Sequence, residues 1–346
     1  MKANNPFTLT FGKKPNEYIA RYEATDMILS TFTAANPVNQ AYMIEGLRGS
    51  GKTVLMTTIA NTLRQDSNWV VVDLNSTRDL IEDLALRLSD SCRKLPNLLE
   101  VGFNVTIAGV GLGINGTHAL RDNISLIEEL LEALEKKSKK VLITIDEVLG
   151  DENMRRFASE YQIFLRKNYP VFLLMTGLYE NIHQIQNDPA LTFLLRTPKI
   201  SLGPLSIHQI TKQYQTVFDI SREEAGNRAR ITKGYAFAFQ ALGMLYFEYG
   251  DTLTDGEILS KMEDMLDDFV YAKIWSTLSG REKEIMKVMT DEQIKVKTIC
   301  DKLGITSSAF SQYRERLIRK GLIVSSGHGF LELTLPRFAE VIQSYT

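Results

Sequence analysis

Residues 46 to 53 read Gly46-Leu47-Arg48-Gly49-Ser50-Gly51-Lys52-Thr53, a complete G-x-x-x-x-G-K-[ST] phosphate-binding loop. In this pattern the glycines let successive backbone N–H groups turn inward on an anion. The lysine reaches the β- and γ-phosphates, and the threonine hydroxyl takes a place on Mg²⁺. The flanks agree with that reading. Ala41-Tyr42-Met43-Ile44 is an apolar run that predicts a buried strand, and the stretch from Val54 to Leu63 predicts a helix. Strand, loop and helix N-terminus is the order that aims backbone donors and the helix dipole at a phosphate. The expectation is a nucleoside triphosphate site formed by Gly46 through Thr53 and by Val54 directly after them.

Outward from the loop, the run Val141-Leu142-Ile143-Thr144-Ile145 ends in Asp146-Glu147. An aspartate at a strand end can hold Mg²⁺ through water, so Thr53 and Asp146 are the expected metal residues. The adjacent Glu147 can polarise an attacking water. Trp69–Leu74 predicts a central strand, Val171–Met175 another, and Ile200–Leu202 a last short one. Helical spacing appears at 81–95 and 123–136. Strands alternating with helices predict an α/β fold, a parallel P-loop NTPase sheet with helices on both faces. Thr176, which ends its strand, can orient water against a γ-phosphate or be an ordinary strand-end threonine. Arg196 can project from one subunit toward a neighbour's γ-phosphate or be a plain surface arginine. With Lys52 and Glu147, these two complete the candidate catalytic set.

The alternation Phe103–Ile107 and Leu112–Asn115 around a glycine pair predicts a β-hairpin. From Leu205 the strand signal stops, and 205–270 reads as helices broken at Gly226 and at Gly250-Asp251. From about Trp275 the pattern becomes three short helices and a hairpin. Ser279-Gly280-Arg281-Glu282 caps the first, Val296–Leu303 closed by Gly304 makes the second, and the third runs from Ser307 to Lys320. Leu322-Ile323-Val324 and Phe330–Leu333 then flank the turn at Ser326-Gly327-His328-Gly329. This order resembles a winged helix-turn-helix. Phe310, Tyr313 and Leu317 share the inward face of its third helix. Ser307, Ser308, Ser311, Gln312, Arg314 and Arg316, with His328 at the wing tip, are the candidate contacts to duplex DNA. Winged helices also bind proteins, and that alternative stands beside DNA.

Composition fits this organisation. The chain has 346 residues, 44% hydrophobic and 24% charged, which suits two or three globular domains. No apolar stretch approaches the ~18 residues that span a membrane, and the first residues lack the apolar core of a signal peptide. Two cysteines, Cys92 and Cys300, lie far apart and without metal-ligand spacing, as a reducing cytoplasm would leave them. The net charge of −2 is uneven. Residues 271–346 hold 12 Lys/Arg against 8 Asp/Glu, a basic segment suited to a polyanion.

Together the phosphate loop, Asp146-Glu147 and the order of elements resemble the AAA+ superfamily, and within it the archaeal-type and STAND ATPases close to Orc-type initiators. That resemblance implies ATP as the nucleotide, Thr176 as sensor 1 and Arg196 as an arginine finger completing a homo-oligomer interface. Tyr18-Ile19-Ala20-Arg21-Tyr22-Glu23 is similar to the family's N-terminal box, with Ala20 in place of a glycine, and implies Ile19 and Arg21 beside the adenine. Lys233-Gly234-Tyr235-Ala236-Phe237 resembles the family's lid motif with alanine in place of proline. Arg228, Arg230 and Lys233 are its candidate phosphate cations. Two matches carry no weight: Gly111–Gly116 as a dinucleotide fingerprint, and Leu278-Ser279-Gly280 as a transporter-ATPase signature. The domains expected are a P-loop ATPase over 1–204, a helical lid over 205–274 and a winged helix over 275–346. The function expected is a cytoplasmic ATPase, with ATP and Mg²⁺, coupled to duplex DNA. The alternative is a slow nucleotide switch whose C-terminal module contacts a protein. A small-molecule kinase is disfavoured, because the Asp-Glu pair suits water activation.

Overall fold

The apolar run before the phosphate loop and those after its helix become strands of one parallel sheet. A computed structural model describes residues 4–9, 15–95, 122–191 and 194–345. The chain divides into two units, one of Arg21–Glu45 and Leu55–Ser201, the other of Met1–Ala20, Gly46–Val54 and Leu202–Thr346. The expected hairpin at 103–115 and the glycine pattern at 111–116 lie outside the described residues.

The first unit contains α1 (Tyr22–Thr33), β1 (Ala41–Glu45), most of α2 (Lys52–Arg64), β2 (Trp69–Leu74), α3 (Leu80–Arg93) and α4 (Asn123–Lys136). It continues through β3 (Lys140–Ile145), α5 (Glu152–Arg166), β4 (Val171–Gly177), α6 (Tyr179–Gln186) and β5 (Lys199–Ser201). The strand order is β2-β3-β4-β1-β5. Side chains alternate across it, as period two requires. Met43, Val72, Ile143 and Leu173 enter one core with Leu84 and Leu88 of α3, Leu130 of α4 and Phe157 of α5. On the other face Phe32 of α1 meets Phe172 with ring centroids 5.0 Å apart, and Trp69 meets Phe172 at 4.9 Å. Each such buried aromatic contributes about 2–3 kcal/mol, so both faces are held by apolar burial. Trp69–Leu74 is therefore not a central strand: among the described residues β2 lies at the sheet edge. Its β-branched run reports the burial of Val70 and Val72 in the core on one face rather than a central place.

The second unit contains α7 (Ile207–Phe218), α8 (Arg222–Ile231), α9 (Ala236–Tyr249), α10 (Asp255–Leu266), a π-helical turn Asp267–Tyr271 and α11 (Ala272–Ser276). Gly226 does not break a helix. It lies buried inside α8, while the break falls at 219–221, where Asp219 turns left-handed at φ +51° and Ser221 accepts the Glu224 N–H. The roughly 1 kcal/mol that glycine costs a helix is tolerated where α8 packs on α7. The N-terminal segment joins this unit. Phe7 packs against Phe218 and Phe239, with ring centroids 5.7 and 5.6 Å away. A Cβ on Gly243 of α9 would lie 2.6 Å from the Phe7 ring, so only glycine admits it.

The C-terminal part holds α12 (Gly280–Val288), β6 (Ile294–Lys295), α13 (Val296–Leu303), α14 (Ser307–Arg319), β7 (Ile323–Gly327), β8 (Phe330–Leu333) and α15 (Phe338–Gln343). Ser279 and Glu282 form a capping box on α12, and Gly304 closes α13 at φ +62°. The two-residue β6 adds to the hairpin in the antiparallel order β6-β8-β7. Neither β6 nor α15 is legible in the sequence, because two residues give no period and α15 is a single apolar-rich turn and a half.

Candidate functional site

The sheet of the first unit places three candidate residues at neighbouring strand ends. Ile44 pairs with Thr176 between β1 and β4, and Ile145 pairs with Met175 between β3 and β4. Asp146 therefore follows β3 beside Thr176. Thr176 is fully buried, and its hydroxyl donates to Asp146 Oδ1. The same hydroxyl accepts the Glu147 N–H at 3.2 Å, and the Thr176 carbonyl accepts the Val148 N–H at 2.8 Å. These bonds hold Glu147 at φ +53°, a left-handed conformation that costs a non-glycine residue about 1–2 kcal/mol. The turn leaves the Glu147 side chain exposed.

Within the second unit the phosphate loop has the backbone of an anion nest. Gly49 and Gly51 have φ of +73° and +90°. A Cβ on Gly51 would meet nothing within 4 Å, so conformation and not crowding requires glycine there. At Gly46 crowding decides, since a Cβ would lie 2.7 Å from Ser50 Oγ. Lys52 opens α2 almost fully buried, and its Nζ donates to the carbonyls of Gly46 at 3.1 Å and Leu47 at 2.8 Å. The Ser50 N–H closes a turn on the Leu47 carbonyl at 3.2 Å. This open, glycine-shaped cradle at the start of a helix fits a phosphate chain. A threonine hydroxyl such as Thr53 in this unit, and a carboxylate such as Asp146 in the other, are each of the hard oxygen type that Mg²⁺ takes.

The remaining candidates are placed as follows. Ile19 is buried in the apolar core of the second unit, while Arg21 belongs to the first. Arg196 ends a 3₁₀ turn, Leu194–Arg196, and is exposed. Arg228, Arg230 and Lys233 each pair with groups other than the phosphate loop. Arg228 pairs with Glu224 at 2.6 Å and lies 3.7 Å over the Tyr246 ring, and Arg230 donates to Asn227 at 2.7 Å. Lys233 Nζ lies 3.2 Å from Asp291 and 3.3 Å from the Leu333 carbonyl. On α14, Ser307, Ser308, Ser311, Gln312 and Arg316 are exposed, as is His328 in the hairpin turn. Arg314 instead donates to Ser325 Oγ of β7 at 2.8 Å, bracing helix to hairpin.

Two features escape the sequence reading. Glu45, the last residue of β1, is a buried carboxylate that accepts the Ser201 hydroxyl at 2.6 Å. Tyr179 titrates above its ordinary value, raised first by burial and then by the charge of Glu45, with Arg21 opposing. An acidic residue directly before the first loop glycine, where the strand is otherwise apolar, is the signal that marks this cluster. The second feature is Tyr235, whose hydroxyl donates to the Arg48 carbonyl of the phosphate loop.

A family model described as a domain of unknown function, DUF8462, matches residues 268–342. No curated protein sequence matches the chain. Among solved structures the chain is similar to the Walker-type ATPase PABY2304 of Pyrococcus abyssi, at 14% identity over 97% of this chain and 99% of that one, with a TM-score of 0.70. The ORC2 protein of Aeropyrum pernix, solved as ADPNP–ADP complexes, is 14% identical over 97% and 96% of the two chains, with a TM-score of 0.61. Cdc6p of Pyrobaculum aerophilum is 14% identical over 99% and 97%, with a TM-score of 0.51. The chain thus has the P-loop NTPase fold of archaeal Walker-type and Orc/Cdc6-type ATPases along nearly its whole length. Among the described residues no helix is long and apolar enough to cross a membrane.

Proposed function

We propose that this chain binds ATP on the loop Gly46–Thr53, hydrolyses it slowly with Mg²⁺, and couples the nucleotide state to duplex DNA through a C-terminal winged helix. The observation that carries the hydrolytic reading is the bonded set Thr176, Asp146 and Glu147 at neighbouring strand ends. In this reading the loop N–H groups and Lys52 bind the phosphates. Thr53 and Asp146 would hold Mg²⁺, which would supply positive charge against the transferred phosphoryl group. Glu147 accepts a proton from the attacking water, and Thr176 orients that water while fixing the Asp146 carboxylate. Arg196, exposed on its 3₁₀ turn, reaches the γ-phosphate of a neighbouring subunit. Ser307, Ser308, Ser311, Gln312 and Arg316 present hydroxyls, an amide and a cation to a major groove, with His328 against the backbone.

A second reading, a nucleotide switch whose winged helix docks on a protein, is favoured by apolar exposure on that module. Ile318 on α14 is 39% exposed and Val324 on β7 is 46% exposed. Steady-state ATPase rate against protein concentration, with and without duplex DNA and with Lys52→Ala and Arg196→Ala controls, separates the two. A rate per subunit that rises with concentration and DNA, and falls in both variants, is expected. A rate near zero and indifferent to DNA overturns the DNA-coupled ATPase in favour of the switch.

A further inference from the structure

We infer that Tyr235 is a positioning residue for the phosphate loop, and that Lys233 ties its position to the C-terminal module. The inference rests on the loop binding a nucleotide, as proposed above. Two successive carbonyls of the loop are taken by donors from one short segment. The Tyr235 hydroxyl donates to the Arg48 carbonyl, and the Phe237 N–H donates to the Gly49 carbonyl at 3.1 Å. In a planar trans peptide the N–H lies opposite the carbonyl, so anchoring Arg48 on one side turns the Gly49 N–H to the other. An anion nest works only when its N–H groups converge. The first bond fixes the peptide that supplies the Gly49 N–H, and the second fixes the next peptide, whose Ser50 N–H closes the turn on Leu47.

The approach is close enough to dictate the sequence. A Cβ on Gly49 would collide with the Tyr235 hydroxyl and lie 3.0 Å from Phe237 Cβ. Tyr235 is itself buried, and burial pushes its phenol well above the ordinary range, so it remains a donor at any physiological pH. The turn before it is equally constrained. Lys233 and Gly234 are both left-handed, at φ +47° and +74°, and the Gly234 carbonyl accepts the Leu205 N–H at 2.7 Å. From this turn the Lys233 ammonium reaches Asp291, between α12 and β6, and the Leu333 carbonyl at the end of β8. A displacement of the winged-helix strands is thus transmitted through Lys233 and the turn to the peptide that orients the cradle.

The test uses the full chain and Tyr235→Phe, which removes the hydroxyl and keeps the ring, alongside Asp291→Asn, the double variant and Lys52→Ala. Affinities for MgADP and MgATP are measured with labelled nucleotides, together with kcat and amide exchange of residues 46–51 without nucleotide. Tyr235→Phe is expected to weaken ADP and ATP alike by roughly fivefold, leave kcat within about twofold, and speed exchange in the loop. Asp291→Asn is expected to weaken both by a smaller factor, with no further loss when the two are combined. Wild-type exchange and affinity in Tyr235→Phe overturn the positioning role. Additive losses in the double variant overturn the link through Lys233. Absence of Lys52-dependent binding in the wild-type chain overturns the nucleotide reading, while the exchange rates still decide the role of Tyr235.

Discussion

Thr176 and Asp146 are joined by a hydrogen bond across the ends of neighbouring strands, and the same threonine hydroxyl fixes the backbone of Glu147. Thr176→Ala removes both bonds from a fully buried site, and Thr176→Ser restores them. We expect the alanine variant to lose about 30–100-fold in kcat with little change in nucleotide affinity, and the serine variant to recover most of it. Equal kcat in wild type and alanine variant would remove Thr176 from the catalytic set.

Glu147 and Lys52 should fail in different ways. Glu147→Gln keeps the left-handed turn and the backbone bond to Thr176, so nucleotide binding is expected to persist while turnover falls by about 10²–10³. Lys52→Ala removes a buried ammonium from the loop, and binding itself is expected to fall. Equilibrium binding measured beside single-turnover hydrolysis separates the two outcomes. A Glu147→Gln variant that turns over normally would rule the glutamate out as base.

Glu282 predicts a pH dependence of stability in the C-terminal module. Its carboxylate is buried, accepts the Ser279 N–H at 2.8 Å and lies 3.3 Å from Lys320 Nζ. Burial alone would raise its pKa, but the Ser279 bonds and the Lys320 charge together hold it below the ordinary value. The unfolded chain therefore takes up this proton first as the pH falls. Its contribution is present above the ordinary carboxylate value and is lost as pH falls through the lowered folded value. Glu282→Gln should cost about 2 kcal/mol near neutrality, and the gap should close in acid. Melting curves of both chains at neutral and acid pH decide this, and a gap that stays constant would contradict it.

The DNA reading makes an electrostatic prediction. Arg316 is exposed on α14, whereas Arg314 is bonded to Ser325. Arg316→Ala should weaken duplex binding on every sequence and reduce the salt slope by about one. Gln312→Ala should instead lose discrimination among sequences by about 1–3 kcal/mol. Binding titrations at several salt concentrations, on two unrelated duplexes, distinguish these effects. No binding by the wild-type chain on either duplex would end this reading.

The sequence made the site legible where chemistry has a spacing. The glycines of the loop, and an acidic pair after an apolar run, are local patterns that no tertiary contact needs to complete. The strands end within two residues of where the apolar runs predicted, at Glu45, Ile145 and Gly177, so their adjacency followed once the fold was chosen. Tyr235 was not legible as a loop contact because its partner, the Arg48 carbonyl, carries no side-chain signal and lies 187 positions away. Gly226 misled for the opposite reason. A glycine reads as a helix break when only its propensity is visible, and packing of α8 on α7 outweighed that preference. Asp219, which does end α7, looks like any surface aspartate until its left-handed backbone is seen.

The Phe7 socket sets an order of events in folding. Asn5 reaches the Met244 carbonyl at 3.2 Å and the Thr8 N–H reaches Gln240 at 3.1 Å, across more than two hundred residues. Phe7 precedes the sheet along the chain, but Phe218, Phe239 and the gap at Gly243 arrive only after the whole sheet has been synthesised. The segment around Phe7 therefore waits, and its docking closes a loop of more than two hundred residues, a slow and late event.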